Sequence, residues 1–248
     1  MKPLLIYLLS CWPVCYTMQT AKLTVYLIGD STIATKPVSA FPETGWGMPF
    51  ATFFDSTVVV ENHAMNGRST RTFLSENRWQ PIVEKLKAGD YVFIQFGHND
   101  ESKEKTDRYT TPEDFKKNLV KFITESKSKK AIPVLLTPVS RRKFKNGVQQ
   151  ETHVEYTRLA TEVALAHQVA FIDLDAQSRA LYQALGEEAS KLLFLQLQPG
   201  EHPNYPEGKE DNTHFSETGA RKIAQVVVQN IKTLNLPLAT HIRKPIKK

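Results

Sequence analysis

The apolar residues of this chain fall into two kinds of pattern. One is the short, nearly continuous run: Leu23-Thr24-Val25-Tyr26-Leu27-Ile28, Thr57-Val58-Val59-Val60, Tyr91-Val92-Phe93-Ile94-Gln95-Phe96, Ile132-Pro133-Val134-Leu135-Leu136 and Val169-Ala170-Phe171-Ile172-Asp173. Each is of strand length and rich in β-branched or aromatic residues, which favours a strand over a buried helix segment. The other is the helical stripe. Thr111-Pro112-Glu113-Asp114 combines a capping residue with proline at the first helical position, and Phe115, Leu119, Phe122 and Ile123 then share one face. Helices are also predicted over residues 152–167 and 175–185. A last helix has Ser216 as its cap and Ala220, Ile223, Ala224, Val227, Ile231 and Leu234 as its stripe. Strands buried on both faces and alternating with helices predict an α/β fold, a parallel sheet in a three-layer α/β/α sandwich. In such sheets chemistry gathers in the loops leaving the C-terminal ends of the strands.

Composition narrows this only a little. At 248 residues, with 41% hydrophobic and 23% charged residues, the chain suits one core and excludes collagen-like, disordered and multi-span membrane classes. The first twenty residues stand apart. Lys2, an apolar run over residues 3–15, no acid and small or polar residues at 17–21 read as a secretory signal peptide. Leu8-Leu9-Ser10-Cys11 roughly resembles a lipobox, so a lipoprotein-type signal stays open. Both cysteines, Cys11 and Cys15, lie in this leader, and no disulfide is expected in the mature domain. The expected organisation is therefore a leader at 1–20, one domain at 21–238 and a basic tail at 239–248. The expected location is outside the cytoplasm: periplasmic, secreted or lipid-anchored at a bacterial envelope. No other run approaches the roughly 20 apolar residues of a membrane span. The net charge of +6 owes much to Arg243, Lys244, Lys247 and Lys248 in the tail. With no basic stripe interleaved with aromatics, it does not argue for nucleic acid as a partner.

The strand ends carry the candidate chemistry. The first strand runs into Gly29-Asp30-Ser31-Thr32, where Ser31 is placed as a nucleophile at a strand-to-helix turn, or as a helix cap. The surrounding residues do not make the G-x-S-x-G elbow of ordinary α/β-hydrolases. Asn66-Gly67-Arg68-Ser69 follows the second strand, and Gly67 allows a backbone N–H to approach a ligand closely. Gly97-His98-Asn99-Asp100 follows the third, where the Asn99 amide suits a developing oxyanion and His98 reads more readily as a packed histidine. Just before the last helix, Asp211-Asn212-Thr213-His214 spaces a carboxylate three residues from an imidazole, close enough to fix its tautomer. Nucleophile, oxyanion donor and oriented base thus come from separate loops. There is no HExxH, CxxC, P-loop or GxGxxG, which speaks against zinc and nucleotide chemistry.

On these four blocks the chain resembles the GDSL-like, or SGNH, hydrolase superfamily, over nearly all of residues 23–236. The four name-giving residues match Ser31, Gly67, Asn99 and His214, with Asp211 three before the histidine. Within the superfamily it is most similar to rhamnogalacturonan acetylesterases, through Ile28-Gly29-Asp30-Ser31-Thr32, Gly45-Trp46-Gly47, Phe96-Gly97-His98-Asn99-Asp100, Thr137-Pro138-Val139-Ser140-Arg141-Arg142 and His202-Pro203-Asn204-Tyr205-Pro206. Thr32-Ile33 departs from the leucine common elsewhere in the superfamily. The resemblance implies a flavodoxin-like sandwich with five parallel strands and a two-step acyl transfer. Its catalytic residues are Ser31, Asp211 and His214, and its oxyanion hole is the N–H groups of Ser31 and Gly67 with the Asn99 side chain. No metal or organic cofactor is implied. The implied substrate is an acetylated pectic polysaccharide or oligosaccharide, which is polyanionic. Residues 127–145 hold seven basic residues and no acid, so Arg141 and Arg142 are expected to contact substrate carboxylates, and Trp46 to stack on a sugar ring. The alternatives are an acetylesterase for xylan or other oligosaccharides, a lipid or thioester hydrolase, or a non-catalytic carbohydrate-binding module.

Overall fold

A computed structural model describes residues 22–244. The leader with its two cysteines and the final four residues lie outside them. In chain order the elements are β1 (Leu23–Gly29), α1 (Gly47–Phe50), β2 (Val58–Asn62), α2 (Thr70–Ser75), α3 (Gln80–Lys85), β3 (Tyr91–Gln95), α4 (Pro112–Ser128), β4 (Ile132–Leu136), β5 (Phe144–Lys145), β6 (Val148–Gln149), α5 (Val154–His167), β7 (Ala170–Ile172), α6 (Leu174–Ala189), β8 (Phe194–Leu197), β9 (Lys209–Phe215) and α7 (Glu217–Thr233).

Five of the strands form one parallel sheet in the order β2-β1-β3-β4-β7. Successive side chains of a strand point to opposite faces, and two cores follow from that alternation. Val25, Leu27, Tyr91, Phe93, Val134, Leu136 and Ile172 pack toward α1, α6 and α7. Tyr26, Ile28, Val92, Ile94 and Leu135 pack toward α2, α3, α4 and α5. This is the expected three-layer sandwich. The runs read as strands were apolar without alternation because helices cover both faces.

The predicted caps hold as well. Thr111 accepts from Asp114 N at 3.2 Å and Ser216 from Gly219 N at 3.2 Å. The stripe of α7 is buried from Ala220 to Ile231, while Leu234 at its end is partly exposed. Two antiparallel hairpins lie outside the main sheet. One, β5–β6, turns on Asn146-Gly147. The other, β8–β9, carries the Asp-x-x-His segment that the sequence reads as a turn. The basic tail also begins later than residue 239. Pro237–His241 is a short 3-10 helix with Leu238 fully buried, and Arg243 N donates to Phe53 O at 2.9 Å.

Candidate active site

The strand order reverses between β1 and β3, which lead to opposite sides of the sheet. At such a switch point the outgoing loops part and leave a crevice. The loops after β1, β2 and β3 all border a cleft of about 540 Å³, whose lining includes Ser31, Gly67, Asn99 and His214.

Each loop is built to present its residue. Asp30 is buried, and its Oδ1 accepts from Thr32 N at 3.0 Å and Thr32 Oγ1 at 2.8 Å, closing a tight turn around Ser31. After β2 ends at Asn62, the chain stays beside β1 for a few residues more, with His63 N donating to Leu27 O and Met65 N to Gly29 O. That extension carries Gly67 level with the end of β1. Gly67 has φ +74°, a region that costs an L side chain about 1–2 kcal/mol. Lys36, itself buried, ties this loop down by donating from Nζ to Asn66 Oδ1 at 2.8 Å while pairing with Glu43 at 2.6 Å. Asn99 donates one amide N–H to Arg68 O at 3.0 Å, and an amide nitrogen carries a second. Among the described residues, the backbone N–H groups of Ser31 and Gly67 are spent on no hydrogen bond.

The base arrives on β9. Its pairing with β8 jumps from Phe194↔Phe215 to Leu195↔Asp211, so residues 212–214 bulge out of the ladder. A bulge re-aims the side chains it carries. Here Asp211 Oδ1 holds the bulge by accepting from Thr213 N at 2.7 Å and His214 N at 2.9 Å. Asp211 Oδ2 lies 2.8 Å from His214 Nδ1, and His214 Nε2 lies 2.9 Å from Ser31 Oγ. Partial burial works to raise the Asp211 pKa, but the imidazole and the two backbone donors outweigh it and hold the carboxyl well below the usual range. Asp211 is therefore ionised at any working pH, accepts from Nδ1, and leaves Nε2 as the acceptor facing Ser31.

Three expectations about substrate contacts are corrected. Trp46 has no exposed surface, and its Nε1 donates to Gln95 Oε1 at 2.9 Å in a buried chain that continues through Thr32 to Asp30. It supports the serine loop from inside and cannot meet a sugar. Arg142 is buried too. Its guanidinium donates to Ser190 Oγ at 3.0 Å, Asn212 Oδ1 at 2.9 Å and Glu187 O, over the Phe144 ring. Arg141 donates to Thr213 Oγ1 at 2.7 Å and pairs with Glu101 at 3.6 Å, in a hollow separate from the serine cleft. Both arginines lie at the catalytic end of the sheet, as the strand rule requires. Yet each sends one hydrogen bond to the bulge of β9 and braces it, Arg141 to Thr213 and Arg142 to Asn212.

His98 is a packed histidine. It lies 3.3 Å from Asp30 and its ring is 4.2 Å from that of His153, both rings being buried. Burial, then His153, lowers its pKa to about 4 against the pull of Asp30, so the imidazole stays neutral. The sequence reading did not pick out the cleft residues Glu43, Thr72, Glu76, Lys105, Asp107 and Arg108. A signal existed for three of them. Residues 101–108 form a wholly polar stretch leaving the C-terminal end of β3, where the strand rule looks for function.

A flavodoxin-like sandwich with a Ser–His–Asp array at its switch point defines the class: a serine-dependent ester hydrolase. The chain belongs to the GDSL-like lipase/acylhydrolase family, whose model matches residues 27–222. It is 44% identical over 226 residues to the rhamnogalacturonan acetylesterase RhgT of Bacillus subtilis, covering 91% of this chain and 96% of that one. It is 37% identical to the probable rhamnogalacturonan acetylesterase YesY of the same organism, over 89% of this chain and 97% of the relative. Among solved structures, YxiM of Bacillus subtilis superposes with a TM-score of 0.75 at 26% identity, over 87% of this chain and 58% of that one. An acetylxylan esterase mutant from Geobacillus stearothermophilus shares the fold at 18% identity and a TM-score of 0.61, over 84% and 94%.

Proposed function

We propose that the protein removes acetyl groups from pectic rhamnogalacturonan through an acetyl-enzyme formed on Ser31. The observation that carries this reading is the Ser31–His214–Asp211 array, with contacts of 2.9 and 2.8 Å, opening on a polar cleft. In the first step His214 Nε2 takes the Ser31 proton as Oγ attacks the acetyl carbonyl carbon. Asp211 stabilises the imidazolium and keeps the ring in register. The carbonyl oxygen gains negative charge and accepts hydrogen bonds from the Ser31 and Gly67 N–H groups and the Asn99 amide, each donor of this type being worth about 10²–10³ in rate. The bond between the acyl carbon and the sugar oxygen then breaks, and His214 gives its proton to that departing oxygen, which leaves as a hydroxyl. Water repeats the sequence on the acetyl-enzyme, releasing acetate and restoring Ser31.

The choice of pectic substrate is supported by the two rhamnogalacturonan acetylesterase relatives, which match the chain nearly end to end. The leader pattern in the first twenty residues supports an exported enzyme, and the mass of the secreted mature chain tests that. The decisive experiment measures acetate release from acetylated rhamnogalacturonan and acetylated xylan by wild type and Ser31→Ala. Wild type is expected to prefer the pectic polymer, and Ser31→Ala to lose at least about 10⁴-fold in rate. Equal release from both polymers removes the substrate assignment, and an active Ser31→Ala removes the mechanism.

A further inference from the structure

Three acids and three bases, Arg68, Lys105 and Arg108, line the cleft, but two of the acids are also paired with cations from outside the lining. The acids are Glu43, Glu76 and Asp107. Glu43 is taken by the buried Lys36, and Glu76 by both Arg68 at 3.0 Å and Arg78 at 2.5 Å. Among the described residues Asp107, largely exposed, meets only its chain neighbour Arg108, through Nε and Nη2. Lys105 makes no ion pair among the described residues and is exposed on the same wall. The surplus positive charge therefore sits on the Lys105–Arg108 side.

Arg108 is also placed against the reaction centre. A Cβ added to Gly67 would lie 3.0 Å from Arg108 Nη1, so that end of the guanidinium rests on the glycine next to the serine. Nη1 makes no hydrogen bond among the described residues. The loop that carries it is fixed, with Glu101 N donating to Gly97 O, Thr110 N to Asp100 O and Arg71 Nη2 to Thr106 O at 2.7 Å. An arginine with an unspent donor edge, held on a fixed loop over a polar cleft, suits a planar carboxylate.

We propose that Arg108, assisted by Lys105, binds the carboxylate of the acetylated uronate and selects polyanionic over neutral acetylated glycans. This rests on the reading that Ser31 attacks acetyl esters of a pectic chain. Arg108 rests on Gly67 and lines the same cleft as Ser31, so a uronate ring whose acetyl group enters at Ser31 lies within reach of the guanidinium.

The test compares wild type, Arg108→Gln, Arg108→Lys and the double variant Arg108→Gln/Lys105→Gln, each checked for an unchanged melting temperature. For every form kcat/KM is measured on acetylated rhamnogalacturonan fragments and on acetylated xylo-oligosaccharides. The ratio of the two is expected to fall about 10- to 100-fold in Arg108→Gln, mainly through KM, as for a lost charged hydrogen bond. The double variant falls further, and Arg108→Lys keeps part of the preference. An equal loss on both substrates, or an unchanged ratio, overturns the proposal. Inhibition of nitrophenyl acetate hydrolysis by unacetylated galacturonate oligomers separates it from the substrate reading. Inhibition that weakens tenfold or more in Arg108→Gln keeps the subsite even if no pectic acetate is released. Equal inhibition of both forms, with acetate still released from pectin, removes the subsite and leaves the activity.

Discussion

Ser31 and His214 stand 183 positions apart, yet both were legible as single residues because each sits in a local signal. Ser31 follows a strand, and His214 lies three residues after an aspartate. The neighbours that hold them were less legible, because burial and not residue type sets their behaviour. Asp100 illustrates this. It has no exposed surface, and its Oδ1 accepts from Thr70 N at 2.9 Å and Thr70 Oγ1 at 2.6 Å. Burial pushes its pKa from the ordinary 3.8 up to about 7, overriding the lowering effect of those bonds. A carboxyl raised in this way holds its proton on folding. Its contribution to stability is complete below pH 3.8 and is lost as pH rises through about 7. Asp100→Asn keeps the Thr70 bonds and removes the titration. The variant should therefore gain on wild type by about 1–4 kcal/mol between pH 4 and pH 7.5 in chemical denaturation. A stability difference that stays constant across that range would count against a protonated Asp100.

At the scale of elements, the five parallel strands and the long helices were readable because their patterns are local and periodic. The β8–β9 hairpin was not. Lys209-Glu210-Asp211-Asn212-Thr213-His214 is polar throughout, and only its ladder with β8 makes it a strand. Arg141 and Arg142 were misread for a related reason. The sequence places them at the catalytic end of the sheet, but which neighbour they face is fixed by β9 crossing behind them. The short 3-10 turn leading into that hairpin, Ser190–Leu193, constrains α7. Gly219 lies in the first turn of that helix, and a Cβ there would stand 1.8 Å from Leu193 O, whose carbonyl also accepts from Ser216 N. In an isolated helix Gly→Ala is stabilising by about 1 kcal/mol. Here the overlap should reverse the sign, so Gly219→Ala is expected to destabilise by about 1–3 kcal/mol in thermal or chemical unfolding. Because His214 lies five residues before it on the same support, esterase activity should fall as well. An Ala variant at least as stable as wild type would mean that α7 and the 190–193 segment are free to separate.

For the molecule as a whole, the surprise is where the body ends. Basic composition marks residues 239–248 as a tail, but the chain packs on the body beyond Leu238. That leucine, the last residue of the expected domain, is fully buried, and its N–H donates to the Tyr91 hydroxyl at 3.2 Å. Further on, Arg243 N donates to Phe53 O at 2.9 Å. Asp55 N donates to His241 O, and Ile242 pairs with Phe54. Burying one leucine is worth about 1.5–3 kcal/mol. A chain ending at Leu236 should therefore melt about 4–10 °C lower than one ending at Lys244, which keeps all of these contacts. Equal melting temperatures would return the segment to the status of a tail.

The sequence by itself determined the sandwich, because strand length, burial on both faces and helix caps are written in neighbouring residues. It also singled out Ser31, Gly67, Asn99, Asp211 and His214, because each lies in a short motif at a strand end or helix start. Only the tertiary structure decided which charged and aromatic side chains face the cleft. Trp46 and Arg142 turn inward to support loops and Arg141 faces a separate hollow, while Lys105 and Arg108, from a loop without a motif, line the same cleft as Gly67. The reason is physical: a side chain's direction depends on what packs against its loop, and those partners are distant in sequence.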